Sequence, residues 1–418
     1  MMDTAVKCFK NAKIFDNDKG FIIGNIYVKQ GIITKITQDS NVNENGKESY
    51  EIIDCSGYAC LPTCIDINVS PLDKKISAKK IHELAKKALH GGISTIFLNP
   101  YTNPCIDNEA INALIESINA SSSIYVYPLI ASVNNEGKLC DIDTLYSLNS
   151  NAKAIFSNSA IGSNLLYQTM QYAKMLQLPL CVFAFDFNIE QGVAYESAFA
   201  RGLGLPMITP IGQIKEVAKI KEMAKFLDIE VIFISMNIAH TLDMICHEKK
   251  MYAQVGLPHL IFNERNIKEY DTRYKMIPPL LTRSKKEKLV RRLQEGKVSL
   301  LTSMHQEVSK QYKEQVFEYA SQGVSGIEYF FSLAYTSLVK ESIISMEKLI
   351  GLTSSNASKL MGLNKGEIAA QKDADFMIVD LEKSFIVKDS ESPYHGLELY
   401  GEIKKMVING NIHTLDER

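Results

Sequence analysis

The chain has 418 residues, with 46 Lys and Arg against 48 Asp and Glu, a formal net charge of -2 and a pI near 6.5. That balance gives no global electrostatic reason to hold nucleic acid or an anionic membrane. At 46% hydrophobic and 22% charged, the chain has enough apolar material for a large core and is not a disordered polymer.

Eight cysteines occur without a CxxC pair, in a chain too long to need staples, which predicts reduced thiols and a cytoplasmic setting. Cys55, Cys60 and Cys64 are close enough in sequence to suggest a metal site, but their apolar surroundings favour small buried hydrophobes. The charged N-terminal stretch does not read as a signal peptide, and no apolar run reaches the roughly 18 residues that a bilayer span needs.

In chain order, residues 6–15, 20–37 and 51–61 read as short alternating strands, with turn signals at Asp16-Asn17-Asp18 and Gln30-Gly31. The polar stretch 40–50 reads as a hairpin tip. Apolar β-rich runs follow at 62–70, 94–99, 124–130, 152–157, 179–185, 230–236, 251–256 and 298–303. Amphipathic helices are predicted between most of them, at 79–92 with Gly91-Gly92 as stop signal, 163–176, 212–227 and 284–296. Eight such βα units predict a TIM barrel over 61–364, with its chemistry at the C-terminal strand ends. Residues 365–418 return to alternating strands and are predicted to form one composite β domain with 1–60. A doubly wound sheet is the alternative, without a GxGxxG or P-loop to support it.

The stretches LPTCIDINV, GGISTIFLNPYTNPCIDN, PPLL, NASKLMGLNKGEIAAQKDADFMIVD and SESPYHGLELYGEIKKMVING resemble landmarks of the dihydroorotases of the amidohydrolase superfamily, over nearly the whole chain. The resemblance implies an amidohydrolase-type (β/α)8 barrel and zinc-assisted hydrolysis of a cyclic ureide. It also implies where the reacting groups should stand. The His-x-His of the first strand and the Arg that clamps substrate carboxylate fall on Asn68, Ser70 and Leu72. The carboxylate-binding Asn of the second strand falls on Tyr101, and the bridging acid of the fourth on Asn158. The metal-binding histidines of the fifth and sixth strands fall on Phe183 and Ser235. The general-base Asp of the eighth falls on Met304, its second His on Val308, and the Asn before the paired prolines on Ile277. His305 alone is retained nearby.

Two further features do not depend on the register of these matches. The chain has no His-x-His and no histidine between His90 and His240, and its first arginine is Arg201. A site that needs several neutral imidazoles for zinc and a guanidinium for bidentate carboxylate recognition therefore lacks its raw material. The sequence predicts no catalytic residues, no cofactor and no metal.

Blander readings attach to what is left. His305, without a neighbouring acid or metal, reads as a relic or a satisfied polar residue. His240, His247 and His259 read as surface or core histidines, and Asp66 and Asp186 as acids that satisfy local donors. Lys153 lies at the wrong end of its strand for chemistry, and the basic run 284–292 reads as a solvated helix face. The function implied is that of a non-catalytic dihydroorotase-like homologue, a structural partner of aspartate carbamoyltransferase that also forms homo-oligomers. Alternatives from other classes are an enzyme with a metal-free or mononuclear site using His305 and an acid such as Asp186, and an adaptor on the same fold.

Overall fold

Eight parallel strands follow the β-rich runs in order: Cys64–Val69, Ile93–Leu98, Tyr125–Pro128 continued by Ile130–Ala131, Ile155–Asn158, Leu180–Phe183, Val231–Phe233, Met251–Gly256 and Leu300–Thr302. The computed structural model that shows them describes residues 6–38, 50–148 and 152–416. The third strand, interrupted at Leu129, joins one sheet to the next. Closure falls between the eighth strand and the first, where the Ser70 N–H donates to the His305 carbonyl at 3.0 Å, and Gln254 Nε2 of the seventh strand reaches across to the Ile67 carbonyl at 3.0 Å. The result is a (β/α)8 barrel of the amidohydrolase type, joined to a β domain.

Strand periodicity explains the packing. Ile65, Ile67, Phe97, Phe156, Cys181, Ile232 and Leu300 fill the barrel interior, while Cys64, Ile96, Val182 and Val231 belong to the layer beneath the helices. The four predicted helices form as Ala78–His90, Ser163–Leu176, Ile211–Leu227 and Arg283–Gln294. Ser77 starts the first of these by accepting from the Lys80 N–H. Gly91 ends it for a steric reason: a Cβ there would lie 1.9 Å from the Ile327 carbonyl oxygen.

The two ends of the chain share one eight-stranded sheet. Ala59–Pro62 lies between Val6–Asp16 and Phe376–Ile386, with Gly20–Lys29 and Ile32–Thr37 on one flank and Glu398–Ile408 and Asn411–Thr414 on the other. Tyr50–Asp54 pairs with the first strand. Phe9, Ile14, Ile26, Ile33, Cys60, Phe376 and Val407 build a separate core there. The hairpin tip expected at 40–50 falls almost wholly on residues outside the described ones. No described helix is long and apolar enough to cross a membrane.

The sheet meets the base of the barrel through a buried ion pair. Lys365 Nζ lies 2.5 Å from Asp375 and 3.3 Å from Thr95 Oγ1, over the Tyr125 ring at 3.5 Å, while Asp375 also accepts from the Asn409 N–H at 2.7 Å. Thr63 and Ser94 hydroxyls are 2.6 Å apart beside it, and Ser354 Oγ donates to the Thr63 carbonyl at 2.6 Å.

Candidate functional site at the barrel mouth

The matched positions occupy the C-terminal strand ends and the loops that follow, as a barrel of this kind requires. At the first strand the pairing register shifts between Ile67 and Val69, and Asn68, at φ 76°, is the displaced residue. Its amide oxygen accepts from Asn99 Nδ2 at 2.7 Å, so it is committed to the next strand. Ser70 is buried in the closure, and Leu72 opens a short helical turn, Leu72–Lys74.

At the second strand the Tyr101 hydroxyl lies 3.3 Å from Ser132 Oγ and its ring meets Phe156 edge-on at 5.8 Å. Burial pushes its phenol up to about 12, so it stays neutral. Asn158 caps the turn after the fourth strand by accepting from the Ala160 N–H. Phe183 stacks on Phe185 at 5.4 Å and packs, like Tyr101, against the barrel interior.

Met304 packs where Gly256 leaves room: a Cβ on Gly256 would lie 1.9 Å from Met304 Sδ and 3.0 Å from His259 Nδ1. His259 is thus a wall of the mouth that sequence reasoning left among the undistinguished histidines. It is fully buried, its Nε2 lies 2.9 Å from the Pro278 carbonyl, and burial pushes its pKa down to about 4. It stands three residues after the end of the seventh strand and carried no motif, so only the fold reveals it. Ile277 and Val308 are half-buried, on the loops flanking the eighth strand.

Asp66 is bound up in barrel closure. Its carboxylate accepts from Thr302 Oγ1 at 2.6 Å, from the Ser303 N–H at 3.1 Å and from Ser303 Oγ, and complete burial raises its pKa to about 6. Asp186 is held by Lys215, from the helix Ile211–Leu227, which keeps its carboxyl below the usual range. His305 is 1% exposed with neither ring nitrogen hydrogen-bonded. Burial and the nearby Lys87 charge push it down to about 3, and Glu307 Oε2 is 4.0 Å away. His305 and Asp186 are therefore engaged with different neighbours, not with each other.

The zinc that the fold family implies does not fit this mouth. Amide, hydroxyl, phenyl and thioether groups stand at the matched positions, where that ion takes imidazole, thiolate or carboxylate. Among the described residues no three His, Cys, Asp or Glu side chains come together as a metal site. The three cysteines close in sequence also separate, Cys55 and Cys60 into the core of the β domain and Cys64 into the layer beneath the helices.

Asn68, Ser235 and Met304 hold φ of 76°, 53° and 55°, at the ends of the first, sixth and eighth strands. A left-handed conformation costs a non-glycine residue roughly 1–2 kcal/mol and concentrates at functional sites.

The amidohydrolase family model matches residues 223–413. Over 415 residues, 98% of both chains, the sequence is 29% identical to a probable dihydroorotase-like protein of Helicobacter pylori. It is 27% identical over 406 residues to a dihydroorotase of Acetivibrio thermocellus, covering 93% of this chain and 94% of that one. The chain is thus similar to amidohydrolases along nearly its whole length. Its fold is also that of the L-hydantoinase (dihydropyrimidinase) from Arthrobacter aurescens, with a TM-score of 0.84 at 18% identity over 100% of this chain and 98% of that one. The chain thus resembles dihydroorotases over nearly its whole length, while its mouth is lined by other chemistry.

Proposed function

We propose that this dihydroorotase-like chain has no metal-assisted hydrolase activity and serves pyrimidine synthesis as a structural partner, assembling with aspartate carbamoyltransferase and with copies of itself. One observation carries the reading: Asn68, Ser70, Asn158, Phe183, Ser235 and Met304 stand where the family resemblance places metal ligands and the general base. None of these side chains supplies a ligand or base of the required kind at neutral pH. The whole-length similarity to a dihydroorotase-like protein supports it, and the partner follows from the resemblance to non-catalytic members. The reading with an active enzyme loses support for its suggested pair, since Asp186 is held by Lys215 and His305 is buried beside Lys87 and Glu307.

Metal analysis of the native protein together with turnover of dihydroorotate and carbamoyl-aspartate tests the first half. Stoichiometric zinc with zinc-dependent turnover would refute it. Co-expression with the aspartate carbamoyltransferase of the same cell, followed by sedimentation velocity, tests the second. A single heavier boundary containing both chains is expected, and separate boundaries with a fully active free transferase would end the partner assignment.

A further inference from the structure

We infer that a lysine-lined cavity between the loops after the first, seventh and eighth barrel strands binds a small polyanion bearing phosphate or several carboxylates. The cavity, about 530 Å³, is within the range of small-molecule sites. Lys74, Lys75 and Lys275 line it together with Asp73, Glu307 and Tyr312. Its lysines are not at the mouth positions matched to the dihydroorotases, and the inference stands whether or not the chain hydrolyses anything.

The charge balance favours an anion. Three lysines face two carboxylates there, and each carboxylate is also engaged by a residue outside the cavity lining. Asp73 accepts from the Ser309 N–H at 2.8 Å and from Ser309 Oγ at 2.5 Å, and Glu307 is paired with Lys87 at 2.6 Å. Asp73 lies in the field of Lys75, so the remaining two lysines decide the balance. Lys74 has neither a carboxylate partner nor a side-chain hydrogen bond among the described residues, and burial lowers its pKa. Lys275 is 4% exposed and donates to one acceptor, the Glu318 carbonyl at 2.8 Å, leaving two of its three N–H donors for a ligand. Lys313 lies against it, its ammonium spent on the carbonyls of Thr272, Lys275 and Gly323, and adds a further positive charge behind the cavity wall.

Burial penalises each partly desolvated ammonium, and the Lys275 and Lys313 charges oppose one another. An anion in the cavity offsets both costs, and lysine, as a compact point charge, suits phosphate and carboxylate alike. The loop is shaped for this: Asp73 and Lys74 both hold left-handed backbone, with φ of 56° and 55°, which turns the two side chains out of the strand's alternation.

Calorimetric titration of the full chain with pyrophosphate and, separately, with citrate tests the inference and distinguishes the two sources of charge. Saturable binding of either is expected, weakened about tenfold or more by Lys74→Gln and by Lys275→Met, and unchanged by Lys288→Gln on the exposed helix Arg283–Gln294. Lys275→Met removes a buried charge, so its thermal midpoint is read alongside; should it unfold, Lys74→Gln carries the test alone. Absence of saturable binding by both anions would overturn the inference. So would a loss with Lys288→Gln equal to that with Lys74→Gln, which would mark a diffuse field and not a site.

Discussion

The base of the barrel and its mouth are built from the same eight strands, yet they treat polar groups in opposite ways. At the base, Lys365, Asp375, Thr95 and Asn409 form a buried network whose members find partners of opposite kind. At the mouth, tyrosine, phenylalanine and methionine stand at positions where the family resemblance expects polar ligands, and the remaining polar groups bond locally. The difference separates what the frame needs from what chemistry needs. A barrel loses its fold when its base is unpaired, and keeps it when its mouth is filled with apolar side chains.

The sharpest way to break this comparison is at the base. Lys365→Ala should cost about 3–5 kcal/mol, because it leaves the Asp375 carboxylate buried without its cation. Thermal unfolding should show the loss, and a midpoint within a degree or two of wild type would mean that the base is no more dependent on its polar groups than the mouth.

Next in size is Asp66→Asn, expected to cost about 1–3 kcal/mol by disrupting the carboxylate that joins the first strand to Thr302 and Ser303. The Asp66 pKa rises from the ordinary 3.8 to about 6 in the folded chain, so the native state takes up this proton first as pH falls. Wild type therefore gains on Asp66→Asn between pH 7 and pH 5, by about 1 kcal/mol. Denaturant midpoints of the two proteins at both pH values check the sign.

A smaller effect should appear where the mouth is filled. Gly256→Ala is expected to cost about 1–2 kcal/mol against Met304, and Gly256→Ala with Met304→Ala should recover part of it through a favourable coupling. Additive losses in that cycle would show that the thioether does not occupy the space beside Gly256. Smallest of all is Ser235→Gly. Glycine relieves the positive φ, so stability should stay within about 1 kcal/mol of wild type. A large loss would give the Ser235 hydroxyl a structural role that the packing does not show.

Much of the frame was legible because it repeats. The alternation of β-rich runs with helices of 3.6-residue period marked eight barrel strands and four long helices, and the same alternation at both ends pointed to a shared sheet. Several features of the mouth were not legible, and the reasons are geometric. The displacement of Asn68 depends on pairing with Ile93–Leu98. Lys215 reaches Asp186 from a later helix, and Lys74 and Lys275 line one cavity only because barrel closure brings the loops after the first and seventh strands together. His259 carried no motif; its burial comes from the loop after the seventh strand and from the Pro278 carbonyl. Each of these contacts joins residues far apart in the chain, where local composition holds no record of the meeting.

The shared terminal sheet has a consequence for how the molecule is made. Ala59–Pro62 is translated early, but its neighbour Phe376–Ile386 leaves the ribosome only after the entire barrel has been synthesised. Until then the early strands present an open edge, the kind of surface on which other chains add. The edge is closed by a strand that follows the whole barrel in the chain. A nascent chain stalled late in translation would carry all eight barrel strands and still expose its most adhesive surface.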